Sequence, residues 1–234
     1  MARIGLAVAG LGAAAVLTAC GGSDSSFADE SADDIVKAAK SAMGDLTAVK
    51  VSGDITSGGQ QISLDLQSDS DGNCTGTIGL GDGTAELLGV DGKTWMKPDE
   101  AFWQTFGGGS ADQVMSLVGD KWVLIPAEGE SLSQFCDVND LLDQMLKDEE
   151  DGSTYSKAGT DTVDGDDVVA IDNKDPENGD STGYVLVDDP HYLVKIEKTD
   201  GDDTGSVSFS DFDADFDVEA PAEDDQVDLN NLQG

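Results

Sequence analysis

The residues best placed to do chemistry stand near the start of the chain, in the run Leu17-Thr18-Ala19-Cys20. This run matches a bacterial lipobox, in which the cysteine thiol accepts a diacylglyceryl group and cleavage then exposes the cysteine amine. It closes a short apolar segment, Ile4 to Val16, that follows a single early cation, Arg3. The pattern predicts a signal peptide over residues 1–19 and a lipid anchor on Cys20. An ordinary signal peptide and an uncleaved anchor are the alternatives.

The two remaining cysteines, Cys74 and Cys136, are the second candidates for covalent chemistry. Lipidation of Cys20 leaves them as a pair, and an oxidising compartment favours a disulfide between them. Closing a loop of about 60 residues contributes on the order of 4 kcal/mol in the chain-entropy model. A redox or metal-binding pair is the alternative, but there is no Cys-x-x-Cys spacing, and His191 cannot complete a zinc site alone.

A catalytic triad would need His191, the only histidine, as its base. This residue lies in Asp188-Asp189-Pro190-His191-Tyr192, beside a turn, and the sequence has no Gly-x-Ser-x-Gly elbow. It also has no P-loop, no dinucleotide-binding fingerprint and no His-Glu-x-x-His helix. We therefore expect an exposed turn histidine, no catalytic residue, no cofactor and no metal, in a protein that is not an enzyme.

One acidic cluster follows the spacing of a calcium-binding loop. Asp200, Asp202, Thr204, Gly205 and Asp211 occupy positions 1, 3, 5, 6 and 12 of that pattern, with Asp in place of the final Glu. Both flanks have the pattern of strands rather than helices. A hairpin turn is therefore the preferred interpretation, and a calcium-binding surface protein is the weaker alternative.

The chain is strongly acidic, with 49 acidic and 12 basic residues and a formal charge of −37. Loss of Arg3 with the signal peptide changes that charge to −38. Such a surface repels phosphate backbones and anionic headgroups, which argues against a nucleic-acid partner. Membrane residence must then come from the acyl chains on Cys20, on the extracytoplasmic face of the cell membrane. The acidity can simply keep an exported protein soluble, and a specific cationic partner is the alternative.

The elements that position these residues begin after a predicted flexible tether, residues 20–30. Ser31 is a good N-cap, and Ile35, Ala39 and Met43 recur at helical spacing after it. These features predict a helix of about four turns with one apolar stripe.

From residue 49 onward the hydrophobic period changes from 3.6 to 2, which predicts strands separated by glycine-containing turns. The predicted strands are 49–55, 62–67, 75–80, 85–90, 94–97, 168–171, 184–187, 193–197, 207–209 and 212–218. Helices over 98–106 and 110–118, an apolar run over 122–126 and a helix near 141–146 form an insert between the two sets of strands.

This order predicts an α+β fold in which a large antiparallel sheet, of about nine to eleven strands, curls around helices. We expect a single domain over residues 31–221, with a helical insert, and a loose acidic tail over residues 222–234.

Large aromatic side chains concentrate in and beside the insert. They could line the mouth of an apolar cavity in the curled sheet and gate it, or they could fill its open side as core. Together with the helix stripe they are the candidate cavity residues: Ile35, Ala39, Met43, Trp95, Phe102, Trp103, Phe106 and Trp122.

Several segments resemble the actinobacterial lipoproteins of the LppX/LprAFG type. They are the lipobox, the first helix, Val90–Lys97 leading to Phe102-Trp103, Lys121–Val123 with Pro126, Tyr184–Asp188 and Tyr192–Ile196. The resemblance implies a half-barrel sheet, similar to the lipoprotein carriers LolA and LolB, that helices close over a hydrophobic cavity. It also implies binding of an acylated lipid or lipoglycan and its transport across the cell envelope.

We therefore expect an exported, membrane-anchored lipoprotein that binds an apolar, acylated molecule in a half-barrel cavity and is a candidate lipid carrier. The alternative is a surface interaction or sensor module, in which the protein's own side chains fill the half-barrel and the ligand is an unidentified protein partner.

Overall fold

The computed structural model describes residues 25–107, 109, 111–126, 134–146, 153–176, 179–201 and 203–228. The predicted signal peptide, the lipobox and the anchor residue Cys20 lie outside these residues. No helix in the described ranges is long and apolar enough to span a bilayer.

The described residues form five α-helices and twelve β-strands. The helices are α1 (Ser25–Ala28), α2 (Ala32–Gly44), α3 (Glu100–Gly107), α4 (Ala111–Val118) and α5 (Val138–Met145). The strands are β1 (Ala48–Ser57), β2 (Gln60–Asp69), β3 (Cys74–Leu80), β4 (Gly83–Val90), β5 (Lys93–Pro98), β6 (Trp122–Ile125), β7 (Thr154–Val163), β8 (Asp166–Lys174), β9 (Ser181–Leu186), β10 (Leu193–Lys198), β11 (Asp203–Ser210) and β12 (Gln226–Asp228).

All twelve strands belong to one sheet, in the order β12-β6-β5-β4-β3-β2-β1-β11-β10-β9-β8-β7. Strands β1 to β6 form one meander and β7 to β11 form a second, and the antiparallel pair of β1 with β11 joins them. The pairs are antiparallel except that of β6 with β12, which is parallel. The predicted α+β fold, with a large curled sheet that does not close and a helical insert, is confirmed.

Two clusters of buried apolar side chains lie on the sheet, one under each group of helices. Helix α2 packs over β7 to β11 and β1, where Ile35 and Val49 are fully buried. Helices α3 and α4 pack over β2 to β6, around Leu66 and Leu87. The half-buried Phe135 contacts both clusters, so the two helical layers meet beside it.

The predicted disulfide is confirmed. Cys74, the first residue of β3, is bonded to Cys136, and both side chains are buried in the cluster under α3 and α4. The bond ties the segment before α5 to the sheet across 62 positions of sequence. In the chain-entropy model a loop of this size contributes about 4 kcal/mol.

Two of the strand predictions need correction. Strand β7 was not predicted, because Tyr155 and Val163 are its only large apolar residues and they give no alternating pattern. The strand predicted over 212–218 is wrong, because Asp211 and Asp213 take positive φ angles of 49° and 54° and turn the chain away from β11. Its alternation still sets the burial pattern, since the even-numbered residues are half-buried and the acidic odd-numbered ones are exposed.

The prediction of a loose tail from residue 222 is wrong for β12. This short strand pairs with β6, with Val227 opposite Val123. The side chain of Gln226 accepts a hydrogen bond from the indole of Trp95, with Nε1 and Oε1 2.9 Å apart. The C-terminal segment therefore covers Trp95 and lengthens the sheet by one strand.

The prediction of a flexible tether is wrong for residues 25–30. Phe27 is only 5% exposed, and its ring stacks on that of His191 with centroids 3.6 Å apart and planes 5° from parallel. Lys157 Nζ also donates to the carbonyl of Ala28 at 3.0 Å. His191 is therefore a half-buried packing partner of the N-terminal segment, where the sequence predicted an exposed turn residue.

A carboxylate holds the C-terminal end of α2 against the end of the sheet. Asp213 Oδ1 accepts from the backbone N of Thr47 at 2.7 Å and from its Oγ1 at 2.8 Å, and Oδ2 accepts from Tyr192 OH at 3.1 Å. The Thr47 N–H is the main reason that the pKa of Asp213 lies below its usual value. Burial and the bond to Asp213 raise the pKa of Tyr192.

Replacing Phe27 with Ala tests whether the N-terminal segment belongs to the folded body. We expect Phe27→Ala to lower the free energy of unfolding by about 3 kcal/mol, because it removes a buried aromatic ring together with its stacking contact to His191. Urea denaturation at pH 7 measures the change. Asp29→Ala, at an exposed neighbouring position, should change stability by less than about 0.5 kcal/mol. Equal effects of the two variants would mean that residues 25–30 are a tether after all.

Replacing Asp213 with Asn tests the attachment of α2. A carboxylate with a lowered pKa stabilises the fold above its unfolded pKa of about 3.9, and that contribution is lost as the pH falls through its folded pKa. We expect Asp213→Asn to cost about 1 kcal/mol at pH 7, because the carboxylate is solvent-exposed. The difference from the unsubstituted chain should shrink as the pH falls below the unfolded pKa and disappear below the lowered folded pKa. Urea denaturation at several pH values checks this, and a difference independent of pH would contradict it.

Candidate ligand cavity

An apolar cavity of about 290 Å³ lies between helix α2 and the sheet. Its two walls come from parts of the chain that are far apart in sequence. The helix supplies Val36, Ala39 and Met43, the strands β7 to β10 supply Tyr155, Ile171, Val185, Leu193 and Ile196, and Leu146 follows α5. The cavity therefore lies in the half of the molecule that the second meander builds.

The strand register arranges the sheet wall of the cavity in rows of increasing polarity. Three successive rows cross β9 and its neighbours: Val185 with Leu193, Gly183 with Ile171 and Ile196, and Ser181 with Asn173 and Lys198. The third row lies where β9 begins and β10 ends. The wall therefore changes from aliphatic to polar toward the ends of these strands.

Gly183 is the reason that the middle row leaves space under α2. It lies between two isoleucines on the neighbouring strands, and a Cβ at this position would meet Cδ1 of Leu193 at 3.3 Å. The contact is with the end of a flexible side chain, which can move aside. A larger residue here would therefore occupy the cavity without breaking the sheet.

The charged residues that line the cavity are both lysines. Lys40 belongs to the helix wall, Lys198 belongs to the polar row of the sheet wall, and no Asp or Glu of the described residues is part of the lining. The cavity thus combines an apolar interior with positive charge, in a chain whose formal charge is −37.

On the other face of β9 and β10, three polar side chains bond to one another. Glu197 accepts from Tyr184 OH at 2.7 Å and from Lys195 Nζ at 2.6 Å. The hydrogen bond to Glu197, then burial, raises the pKa of Tyr184 to about 12. The bond from Lys195 is the main reason that the pKa of Glu197 is lowered. These residues alternate along β9 and β10 with Val185 and Ile196, which line the cavity.

The predicted helix stripe contributes two residues to the cavity and one to the core behind it. Ala39 and Met43 line the cavity, whereas Ile35 is completely buried between α2 and the sheet. The predicted N-cap of this helix is confirmed, since Ser31 Oγ accepts from Asp34 N at 3.2 Å.

The aromatic candidates lie away from this cavity. Phe102 and Trp103 are buried under α3 and α4, and Trp95 is covered by β12. Phe106 is 58% exposed, and Lys97 Nζ lies 5.9 Å from the ring centroid of the half-buried Trp122. The insert packs on the first meander, whereas the cavity is built by the second. The five aromatics therefore lie outside the lining of this cavity, and Phe102 and Trp103 belong to the other core cluster.

Sequence patterns point to some of the lining residues that we did not predict. Val36 and Lys40 follow the i, i+4 spacing of a second stripe on α2, one position after the predicted Ile35 and Ala39. Tyr155 lies on the strand that was missed, and Leu146 follows a helix. No local pattern could have brought these two residues to the same wall.

The acidic run considered as a calcium loop contains a hairpin turn. Strands β10 and β11 pair on either side of it, with Lys198 opposite Gly205, and Asp200 Oδ1 accepts from the backbone N of Asp180 at 2.6 Å. Asp202 lies outside the described residues. Within the described ranges, no three His, Cys, Asp or Glu side chains are grouped so that they could hold a metal ion.

Comparison with known proteins gives no match to any protein-family profile or to any curated protein sequence. Solved structures do match. The crystal structure of LprF from Mycobacterium bovis has a TM-score of 0.57 and 16% identity, covering 82% of this chain and 97% of that one. The lipoprotein LppX from Mycobacterium tuberculosis has a TM-score of 0.47 and 14% identity, covering 84% of this chain and all of that one.

At this level of identity the similarity to LprF concerns the fold alone. It extends over nearly the whole of LprF and over 82% of this chain. The LppX/LprAFG-type resemblance found in the sequence is therefore confirmed at the level of architecture: this chain has the fold of LprF.

Proposed function

We propose that this protein is an exported, membrane-anchored lipoprotein that binds the acyl chain of a lipid in the cavity under α2. The observation that carries the proposal is the cavity itself, which has aliphatic side chains on two opposite walls and a polar row at one end. Small-molecule sites in proteins have this composition.

The energetics favour a ligand with a long apolar part. Each methylene moved from water into an apolar cavity contributes about 0.8 kcal/mol, so eight of them would contribute about 6 kcal/mol. The loss of ligand freedom offsets part of this gain. An acyl chain thus supplies enough free energy for binding, whereas a small polar metabolite would leave the aliphatic walls without matching contacts.

The predicted lipid anchor would keep the domain close to the membrane. Only four residues separate Cys20 from the first residue of α1, and an extended chain over this distance spans at most about 18 Å. Because Phe27 in α1 stacks on His191, the chain is attached to the folded body from α1 onward, and the residues after α1 do not add to the length of the tether. A lipid bound under α2 would then be exchanged near a membrane surface, as expected for a carrier.

Filling the cavity tests the proposal. We expect native mass spectrometry of the Cys20→Ser chain, purified from a bacterial host, to detect a bound adduct that organic solvent extracts as an acylated lipid. Gly183→Leu should remove the adduct, because its side chain occupies the space between Ile171 and Ile196. Gly44→Leu is the matched control, since Gly44 is exposed and a Cβ there meets nothing within 4 Å.

Two results would contradict this proposal. Retention of the adduct by a folded Gly183→Leu variant would place the lipid elsewhere. A Cys20→Ser chain that carries no adduct, and takes up none from added lipid vesicles, would instead favour the alternative of a module that binds a protein partner.

Membrane anchoring can be tested separately from lipid binding. We expect the chain with its own signal peptide to appear in the membrane fraction of an actinobacterial host and Cys20→Ser to leave it, because the acidic surface offers no attraction to anionic headgroups. Gly21→Ser, next to the anchor, is the control and should remain in the membrane fraction. Immunoblots of the fractions make the measurement, and membrane-bound Cys20→Ser would refute the lipid anchor.

A further inference from the structure

The charged side chains in the described lining of the cavity have the opposite sign to most of those in the chain. Acidic residues outnumber basic ones by 49 to 12 in the chain, yet the described lining includes two lysines and no carboxylate. Among the described residues, carboxylates are therefore absent from the cavity lining, where a bound molecule would meet them. This arrangement suits a ligand that carries a negative charge itself.

Lys198 differs from the lysines around it in having no counterion among the described residues. Three positions earlier on the same strand, Lys195 Nζ lies 2.6 Å from a Glu197 oxygen, and on β8 Lys174 Nζ lies 3.9 Å from an Asp180 oxygen. In the described part of the chain, no carboxylate oxygen lies within 4.0 Å of Lys198 Nζ. Its side chain is half-buried and stands in the polar row beside Ser181.

The size of the cavity limits how many acyl chains it can take. Its volume of about 290 Å³ is at the lower end of the range for small-molecule sites, roughly 300–1,000 Å³. A lipid with two or three long chains would not fit in such a space. A single chain can lie along the aliphatic rows, with its polar end at the third row.

From these observations we infer that the ligand is a single-chain amphiphile with an anionic head group, which Lys198 on the sheet wall and Lys40 on the helix wall recognise. The inference rests on the proposed function, because it assigns a ligand class to the same cavity. The aliphatic rows bind the chain, and the ammonium groups bind the carboxylate or phosphate.

The acidic surface makes these two lysines necessary for binding an anion. The net charge of the chain repels an approaching anion, but salt screens that repulsion beyond about 8 Å at physiological ionic strength. An ammonium in contact with the head group, partly shielded from water, is screened much less. Charge-assisted contacts at the cavity can therefore outweigh the surface charge, and a neutral head group would gain nothing from them.

Isothermal titration of the Cys20→Ser chain with dodecanoate, dodecyl phosphate, dodecan-1-ol and dodecyltrimethylammonium, all below their micelle concentrations, tests the inference. We expect the two anions to bind at least about tenfold more tightly than the alcohol and the cation. Lys198→Gln should weaken anion binding about tenfold, Lys40→Gln should weaken it in the same direction, and both should leave alcohol binding within about twofold. Lys37→Gln, an exposed lysine on α2 outside the lining, is the charge-matched control and should change neither.

The outcomes separate this inference from the proposed function. Equal binding of dodecanoate, dodecyl phosphate and dodecan-1-ol would overturn the anionic head group while leaving an acyl-chain site in place. Equal loss of anion and alcohol binding in Lys198→Gln would mean that only the aliphatic part of the lysine matters, and would also overturn it. If no dodecyl compound binds, both the inference and the proposed function fail.

The two anions distinguish the sources of the head group. Tighter binding of dodecanoate supports a free fatty acid, and tighter binding of dodecyl phosphate supports a single-chain phospholipid. Either result supports recognition of an anion by the lysines.

Discussion

The pairing of β1 with β11 is the constraint on which the rest of the structure depends. Each strand belongs to a different meander, and their pairing over the register from Lys50–Ser210 to Ser57–Asp203 makes one sheet of two halves. The strands approach so closely that a Cβ on Gly53 would lie 2.8 Å from Cα of Val207. Only glycine fits at this point of the junction. Without this pair, the second meander would not lie beneath α2, and the cavity would lose its sheet wall.

The cavity forms because α2 carries more apolar surface than it can bury against the sheet. Ile35 packs fully against the sheet, while Val36, Ala39 and Met43 face strands whose middle row has no side chain at Gly183. Well-packed interiors leave few spaces larger than a water molecule, so a space of about 290 Å³ between aliphatic walls is a specific feature of this half. In the half under α3 and α4, Phe102 and Trp103 are buried against the same sheet.

Sequence reasoning predicted the parts of this fold that local patterns determine. Alternating side chains and glycine turns gave most strands of both meanders, and Ser31 with the stripe at Ile35 gave α2. Strand β7 was missed because, as an edge strand with mostly exposed side chains, it has little need of apolar residues. The aromatics suggested a gate because the sequence shows how many there are. It does not show on which half of the sheet they pack. The cavity itself depends on strand register and on Gly183, which involve residues distant in sequence.

The N-terminal segment shows why an apparent linker can belong to the folded body. Its composition is small and polar apart from Phe27, and one aromatic residue gives no periodicity to recognise. The ring nevertheless has a partner in His191, whose positive φ of 65° and contact between Nδ1 and the Leu186 carbonyl, 3.2 Å long, orient it. Tyr192, the next residue, donates to Asp213 and so helps to hold the other end of α2. The turn after β9 thus supports the N-terminal segment and α2 together, which fixes the helix wall of the cavity relative to the N-terminal segment.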